Sequence, residues 1–244
     1  MIRVNNLSCG YTGDILSHVT FAAEQNLCIL GPNGSGKSTL AKALCGLLPY
    51  RGSVTLGGAE LREMEASERA KAITYIPPRL ESYDTYISVE EFVLMGRYPH
   101  KPLYRDYTHE DYERVKALLK QSELDASQAI GSLSSGQQQL LLISQALAQS
   151  SSIVIFDEPT ANLDPAHAKR FYEALQNLPE QTRSIVITHD LNFAAHLKGA
   201  VLFVDGGTAT FYAERETFFS AENLRRCYGV DFDCDGTHIG VRYG

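Results

Sequence analysis

Hydrophobic positions recur along this chain in two periods, and the switch between them marks out its elements. Short β-type runs open it, at about residues 2–7, 19–23 and 27–30. A glycine-rich turn follows, and from Lys37 to Leu47 the apolar spacing becomes helical. "RGSVTLGG" predicts a strand closed by glycines. The apolar run Ala72–Ile76 ends in Pro77 and Pro78, which remove two backbone donors and force an extended corner. Residues 88 to about 124 read as helical, with Thr108 and Asp111 spaced as a capping pair, and a further helical pattern runs from Ser134 to Gln149. Then "SIVIFDE" predicts a buried strand, "PAHAKRFYEALQNL" a helix, "RSIVITHD" a second buried strand and "AVLFVDGG" a last one. Strands alternating with helices predict an α/β fold with a parallel sheet, into which the helical middle is inserted as a separate lobe.

The 244 residues suit one large domain or one two-lobed domain, and 44% hydrophobic residues allow a sizeable core. A formal net charge of -7 argues against a nucleic-acid partner, because phosphate backbones are bound mainly through Lys and Arg. Cys9, Cys28, Cys45, Cys227 and Cys234 are scattered without a CxxC pair, which suggests neither a zinc ribbon nor a disulfide framework and fits a reduced, cytosolic compartment. The opening "MIRVNNLSCG" does not read as a signal peptide, since Arg3 and two asparagines interrupt its apolar residues. No apolar run approaches the roughly 18 residues needed to cross a membrane. Any membrane role is therefore expected to be peripheral, through a partner.

"GPNGSGKST" follows an apolar strand and opens a helix, the setting in which the P-loop pattern carries meaning. It spans Gly31, Pro32, Asn33, Gly34, Ser35, Gly36, Lys37, Ser38 and Thr39. The glycines let the backbone curl so that N–H groups face phosphates, and the helix start adds a positive dipole end. Lys37 is placed to reach β- and γ-phosphates, and Ser38 to offer a hydroxyl to Mg²⁺. The bland alternative is a glycine-rich turn with an incidental lysine. Downstream, "IVIFDE" sets Asp157 and Glu158 at the C-terminal end of a buried strand, where open α/β sheets hold their ligands. Asp157 is read as a partner of the metal shell, directly or through water. Glu158 is read as the base that polarises a water for attack on the γ-phosphate. By itself that acidic strand end would read as a helix cap.

"LSSGQQQ" narrows the class. It resembles the signature motif of ATP-binding cassette (ABC) ATPases, usually LSGGQ, with Ser134, Gly136 and Gln137 matching and Ser135 replacing a glycine. In isolation it would read as a Ser/Gly helix cap. "DEPTANLD" resembles the acidic strand end and D-loop, putting Asp164 in the D-loop position; "ITHD" resembles the switch region, making His189 the residue that senses the γ-phosphate. "CGYTGD" puts Tyr11 where the family stacks an aromatic ring on adenine. The resemblance covers about residues 2 to 230. It implies a P-loop NTPase core with a mixed sheet and an inserted helical lobe at approximately 80–150, with 230–244 as a C-terminal tail. It also implies ATP and Mg²⁺ as cofactors and a head-to-tail homodimer, in which Ser134, Ser135, Gly136 and Gln137 contact ATP in trans.

"SVEEFVLMGRYPHKP" resembles a segment in ATPases of ferric-siderophore, haem and vitamin B12 importers, where a short helix ends in Gly-Arg-x-Pro; Gly96, Arg97 and Pro99 match. In those importers this lobe docks on membrane subunits. An ordinary amphipathic helix with a glycine stop is the simpler reading of the same residues. The resemblance implies an ATP-hydrolysing importer subunit, cytoplasmic and peripheral on the inner face of the plasma membrane. Its partners would be polytopic permease subunits and, indirectly, a substrate-binding protein. The rivals are a soluble ABC ATPase acting outside transport, such as in iron–sulfur cluster assembly, and a weakly hydrolysing nucleotide-binding scaffold.

Three positions depart from the family pattern. Leu140 and Gln145 stand where arginines are usual, and Pro78 stands where a glutamine opens the Q-loop. Proline supplies no side-chain amide, so Pro78 is expected to weaken catalysis or its coupling to the permease. In the tail, "DFDCDG" copies the first six positions of an EF-hand loop, but Arg242 stands at the twelfth, and a hairpin turn is the better reading.

Overall fold

A computed structural model describes residues 1–80, 86–101, 104–161, 163–234 and 238–242. In chain order its elements are β1 (Ile2–Cys9), β2 (Leu16–Ala23), β3 (Leu27–Leu30), α1 (Lys37–Leu44), β4 (Tyr50–Leu56), β5 (Ala59–Glu60), α2 (Ala66–Ala72), β6 (Ile73–Ile76), α3 (Val89–Met95), α4 (His109–Ser122), α5 (Ser135–Gln149), β7 (Ile153–Asp157), α6 (Pro165–Gln176), β8 (Arg183–Ile187), α7 (Leu191–His196), β9 (Ala200–Asp205), β10 (Thr208–Tyr212), α8 (Arg215–Phe218), α9 (Ala221–Tyr228), β11 (Phe232–Cys234) and β12 (Ile239–Val241). They fall into two compact units, Met1–Glu63 with Ile185–Gly244, and Met64–Ser184. The segment expected to form the helical lobe, about 80–150, falls within the second.

In the first unit, β2, β1, β4 and β5 form an antiparallel sheet in that order. Alternate residues of β2 are buried, as a strand with one solvated face requires. The other strands run in the order β10, β9, β3, β8. β3 is parallel to both β8 and β9, and all four of its residues are buried, which explains its unbroken apolar run. β10 adds an antiparallel edge on β9, so the expected parallel sheet is mixed. In the tail β11 pairs antiparallel with β12, as the hairpin reading expects; Asp235 and Gly236, on which that reading put the turn, lie outside the described residues. The Asp233 carboxylate, a cation ligand in the EF-hand reading, pairs instead with the Arg242 guanidinium.

In the second unit β6 and β7 pair in parallel, with Tyr75 opposite Ile155 and Ile76 opposite Phe156. The helical stretch expected over 88–124 is two helices. α3 ends at Met95, and the Gly96 that follows lies against α5, where a Cβ would sit 2.3 Å from the Gln145 carbonyl oxygen. A 3-10 turn, Tyr98–His100, then redirects the chain. α4 starts on the expected capping pair: the Thr108 hydroxyl accepts from the Asp111 amide at 3.2 Å, and the Asp111 carboxylate accepts from the Thr108 amide at 2.9 Å.

Arg97 ties these pieces together. Its Nε donates to Asp111 Oδ1 at 2.7 Å, and its Nη1 donates to the Ala148 carbonyl at 2.7 Å and to Ser150 Oγ at 3.2 Å. Gly96 and Arg97, read from sequence as part of a docking segment, therefore both serve the lobe's interior. The two positions without the family's arginines are also accounted for. Leu140 is buried and lines a cavity with Leu118, Ile143, Leu147 and the polar Glu123 and Glu173, and Gln145 Nε2 donates to the Phe92 carbonyl at 3.1 Å.

Candidate functional site

The glycine-rich loop lies in the first unit, between β3 and α1. Gly31 has φ 149, and a Cβ there would come within 2.0 Å of the Val204 carbonyl oxygen, so only glycine fits. Gly36 is the N-cap of α1 at φ 101, a left-handed turn that aims the helix start back into the loop. Lys37 is only 6% exposed, and its ammonium donates to the carbonyls of Gly31 at 2.9 Å and Pro32 at 2.8 Å. The buried cation thus sits inside the loop's curve. Ser38, Pro32, Asn33 and Gly34 are exposed, and Thr39 is buried. Ser35 Oγ is buried without a hydrogen-bond partner among the described residues. A buried cation, a glycine curl and the N–H groups of a helix start make an anion site.

Two more expected residues belong to this unit. Tyr11 is 61% exposed, with Lys42 Nζ 5.9 Å from its ring centroid. Its aromatic face is therefore not used in the core. His189 is exposed just past β8. The backbone around it is fixed: the Asp190 amide donates to Thr188 Oγ1 at 3.1 Å, and Asp190 Oδ1 accepts from the Phe193 amide at 3.0 Å, capping α7.

The acidic pair lies in the second unit. All five residues of β7 are buried, ending at Asp157, which is 1% exposed. Asp157 Oδ2 accepts from the Tyr75 hydroxyl at 2.7 Å. Its Oδ1 is buried and has no hydrogen-bond partner among the described residues. A carboxylate held by one oxygen, with the other left over, fits a hard cation or its water. The Asp157 carboxylate, by its donor chemistry, is of the kind that Mg²⁺ takes; the Ser38 hydroxyl, in the first unit, is exposed. Glu158 has φ 48, a left-handed backbone that costs a non-glycine residue energy and is typical of functional sites.

Beside Glu158 lies a cavity of about 460 Å³, lined in part by Pro78, Arg79, Ser135 and Gln139. Pro78 therefore lines the same cavity as Glu158 and brings no side-chain donor to it. Gln139 is 5% exposed, and its Nε2 has no partner among the described residues.

The signature stretch begins α5. Ser134 is its N-cap, in a reciprocal box with Gln137: Ser134 Oγ accepts from the Gln137 amide at 3.3 Å, and Gln137 Oε1 accepts from the Ser134 amide at 3.0 Å. Ser135 and Gly136 form the first turn. Asp164 caps α6, with Oδ1 accepting from the His167 amide at 2.9 Å and Oδ2 3.0 Å from His167 Nδ1. The His167 amide and ring together hold the Asp164 carboxyl below the usual carboxylate range.

Sequence reasoning missed Tyr75, His167 and Gln139 as contributors. Tyr75 was findable from register, since a parallel partner to β7 carries its side chain toward the strand's acidic end. The others depend on contacts between residues distant in sequence.

Comparison with known proteins decides the class. The ABC transporter family profile matches residues 17–161. This chain belongs to the ABC transporter family. It is an ATP-binding ATPase of mixed α/β fold. The hemin import ATP-binding protein HmuV of Pseudomonas putida is 34% identical over 95% of this chain and 93% of its own length. The ferric enterobactin transport ATP-binding protein FepC of Escherichia coli is 33% identical over 88% of this chain and 83% of its own. Among solved structures, a chain of an inward-facing ABC transporter described as of metal-chelate type superposes with a TM-score of 0.82 at 26% identity, covering 99% of this chain and 97% of that one.

Proposed function

We propose that this ABC cassette is the ATP-hydrolysing subunit of an importer that takes up an iron chelate, haem or a cobalamin-type compound through separate membrane subunits. Similarity to haem- and siderophore-import ATPases across nearly the full chain supports the substrate class. For the chemistry, the carrying observation is the buried Oδ1 of Asp157, without a hydrogen-bond partner among the described residues, at the end of a wholly buried strand.

In this reading Tyr11 stacks on adenine. The loop from Gly31 to Thr39 takes the phosphates through backbone N–H groups and the Lys37 ammonium. Ser38 and Asp157 would hold Mg²⁺, which would supply neutralisation of charge on the phosphate oxygens. Glu158 takes a proton from the attacking water, and His189 contacts the γ-phosphate. Two copies close head to tail, so that Ser134, Ser135, Gly136 and Gln137 of one meet the nucleotide of the other, with Asp164 at the same interface. The assembly is cytoplasmic, held at the inner face of the plasma membrane by a polytopic permease that a substrate-binding protein feeds. No helix among the described residues is long and apolar enough to cross a membrane.

The test is reconstitution with a candidate permease in vesicles. ATP-dependent uptake of a ferric chelate, haem or cobalamin, abolished by Lys37→Ala, is the expected result. ATP hydrolysis that no permease changes, with no uptake of any of the three, overturns the importer reading in favour of an ABC ATPase outside transport.

A further inference from the structure

Gly136 and His167 are thirty-one positions apart, yet the imidazole fills the space a side chain at 136 would take. A Cβ on Gly136 would lie 2.7 Å from His167 Cδ2, 2.8 Å from Cγ and 2.8 Å from Nε2. Those ring atoms are the three nearest heavy atoms, so the ring itself sits over the first turn of α5. One edge of the ring is tethered. Asp164 holds the His167 amide at 2.9 Å and Nδ1 at 3.0 Å. An ionised carboxylate only accepts, so Nδ1 carries the proton and the Nε2 edge is left toward Gly136. Pro165 opens α6 and pre-sets its first turn, which fixes where the ring is presented. The far side is equally set, because the Ser134–Gln137 box fixes how α5 begins.

We propose that His167 is a positioning residue: it locks the signature turn at Gly136 to the Asp164 turn, so that the two present themselves to a nucleotide as one rigid piece. The proposal rests on the reading that α5 begins at a shared nucleotide site. It adds that the site's geometry depends on an imidazole that touches no nucleotide. Without the ring, Gly136 gains open space, the turn loosens, and closing two cassettes on ATP requires more ATP.

The test is a four-member set: wild type, Gly136→Ala, His167→Ala and the double variant. For each, half-saturating ATP, turnover at saturating ATP and thermal midpoint are measured. His167→Ala alone should raise half-saturating ATP at least about fivefold while maximal turnover stays within roughly twofold, because Lys37, Asp157 and Glu158 are untouched. Gly136→Ala should be more severe in the wild-type background than in the His167→Ala background, where its methyl group has room. A difference of about fivefold between backgrounds is the size that contacting residues give. The thermal midpoints should show the same non-additivity without reference to activity. His167→Phe, which keeps a ring but loses the Nδ1 donor, should fall between wild type and His167→Ala.

The inference is overturned if Gly136→Ala has the same effect in both backgrounds. It is also overturned if His167→Ala lowers the thermal midpoint but leaves both kinetic constants unchanged, which is what packing alone would do. Should Gly136→Ala fail to fold, the kinetics of His167→Ala and His167→Phe decide the matter alone. A wild-type protein with no ATPase activity would instead sink the functional reading, and the midpoints would still test the contact.

Discussion

The Tyr75 hydroxyl donates to Asp157 Oδ2 at 2.7 Å and leaves Oδ1 of the same carboxylate buried without a partner among the described residues. The pairing of β6 with β7 sets this up, because Tyr75 lies opposite Ile155, two residues short of Asp157. One oxygen is oriented and the other kept for a ligand. Tyr75→Phe is expected to cost about 1 kcal/mol of stability and to raise the Mg²⁺ concentration that gives half-maximal ATPase activity. Urea unfolding and a Mg²⁺ titration at fixed ATP measure the two. An unchanged Mg²⁺ dependence would remove the orienting role from the tyrosine.

Arg97 should be the most sensitive cation of the second unit. Its side chain and that of Asp111 are 14% and 9% exposed, and removing it strands a buried carboxylate. Arg97→Ala is expected to destabilise by about 3 kcal/mol. Arg97→Lys should recover only part, since one ammonium does not reproduce the fork that reaches Asp111, Ala148 and Ser150. A loss below about 1 kcal/mol in urea melts would contradict the hub role.

The same pair gives a pH signature. Burial alone would push the Asp111 carboxyl up, but the hydrogen bond from Arg97 and the donors of Thr108 outweigh it and hold the group below the usual range. A lowered folded-state value means that the stabilisation is complete above the unfolded value of about 3.9 and drains away as pH falls through the folded value. The stability difference between wild type and Asp111→Asn should therefore be largest near neutral pH and shrink below about pH 4. A difference that stays constant through the acid range would refute this origin.

Pro78 lines the cavity that holds Glu158, together with Arg79 and the buried amide of Gln139. Pro78→Gln places a second amide beside the proposed base. ATP turnover is expected to rise, or to depend more strongly on the permease, when both are assayed with and without the membrane subunits. If neither changes, the proline is a corner and nothing more.

Much of this was legible because the signals are local. The loop from Gly31 to Thr39, the apolar run into Asp157 and the capping pair Thr108–Asp111 each lie within a few residues, and the fold uses them in place. The reading faltered where a residue's role depends on distant chain. Residues 88–124 kept a helical period across Gly96, but what demands a glycine there is the Gln145 carbonyl, forty-nine positions away. Gln145 replaces a cation with an amide whose partner, the Phe92 carbonyl, is fifty-three positions away. Short elements such as α2, α7 and β10 carry too few residues for a period to show.

ATP hydrolysis with Glu158 as base is the claim on which the rest stands. It is tested most directly by steady-state ATPase assays of wild type and Glu158→Gln, with ATP binding measured on the same samples. The account predicts that the variant binds ATP as tightly as wild type and hydrolyses it at least about a hundredfold more slowly. Equal hydrolysis by the two proteins would contradict it.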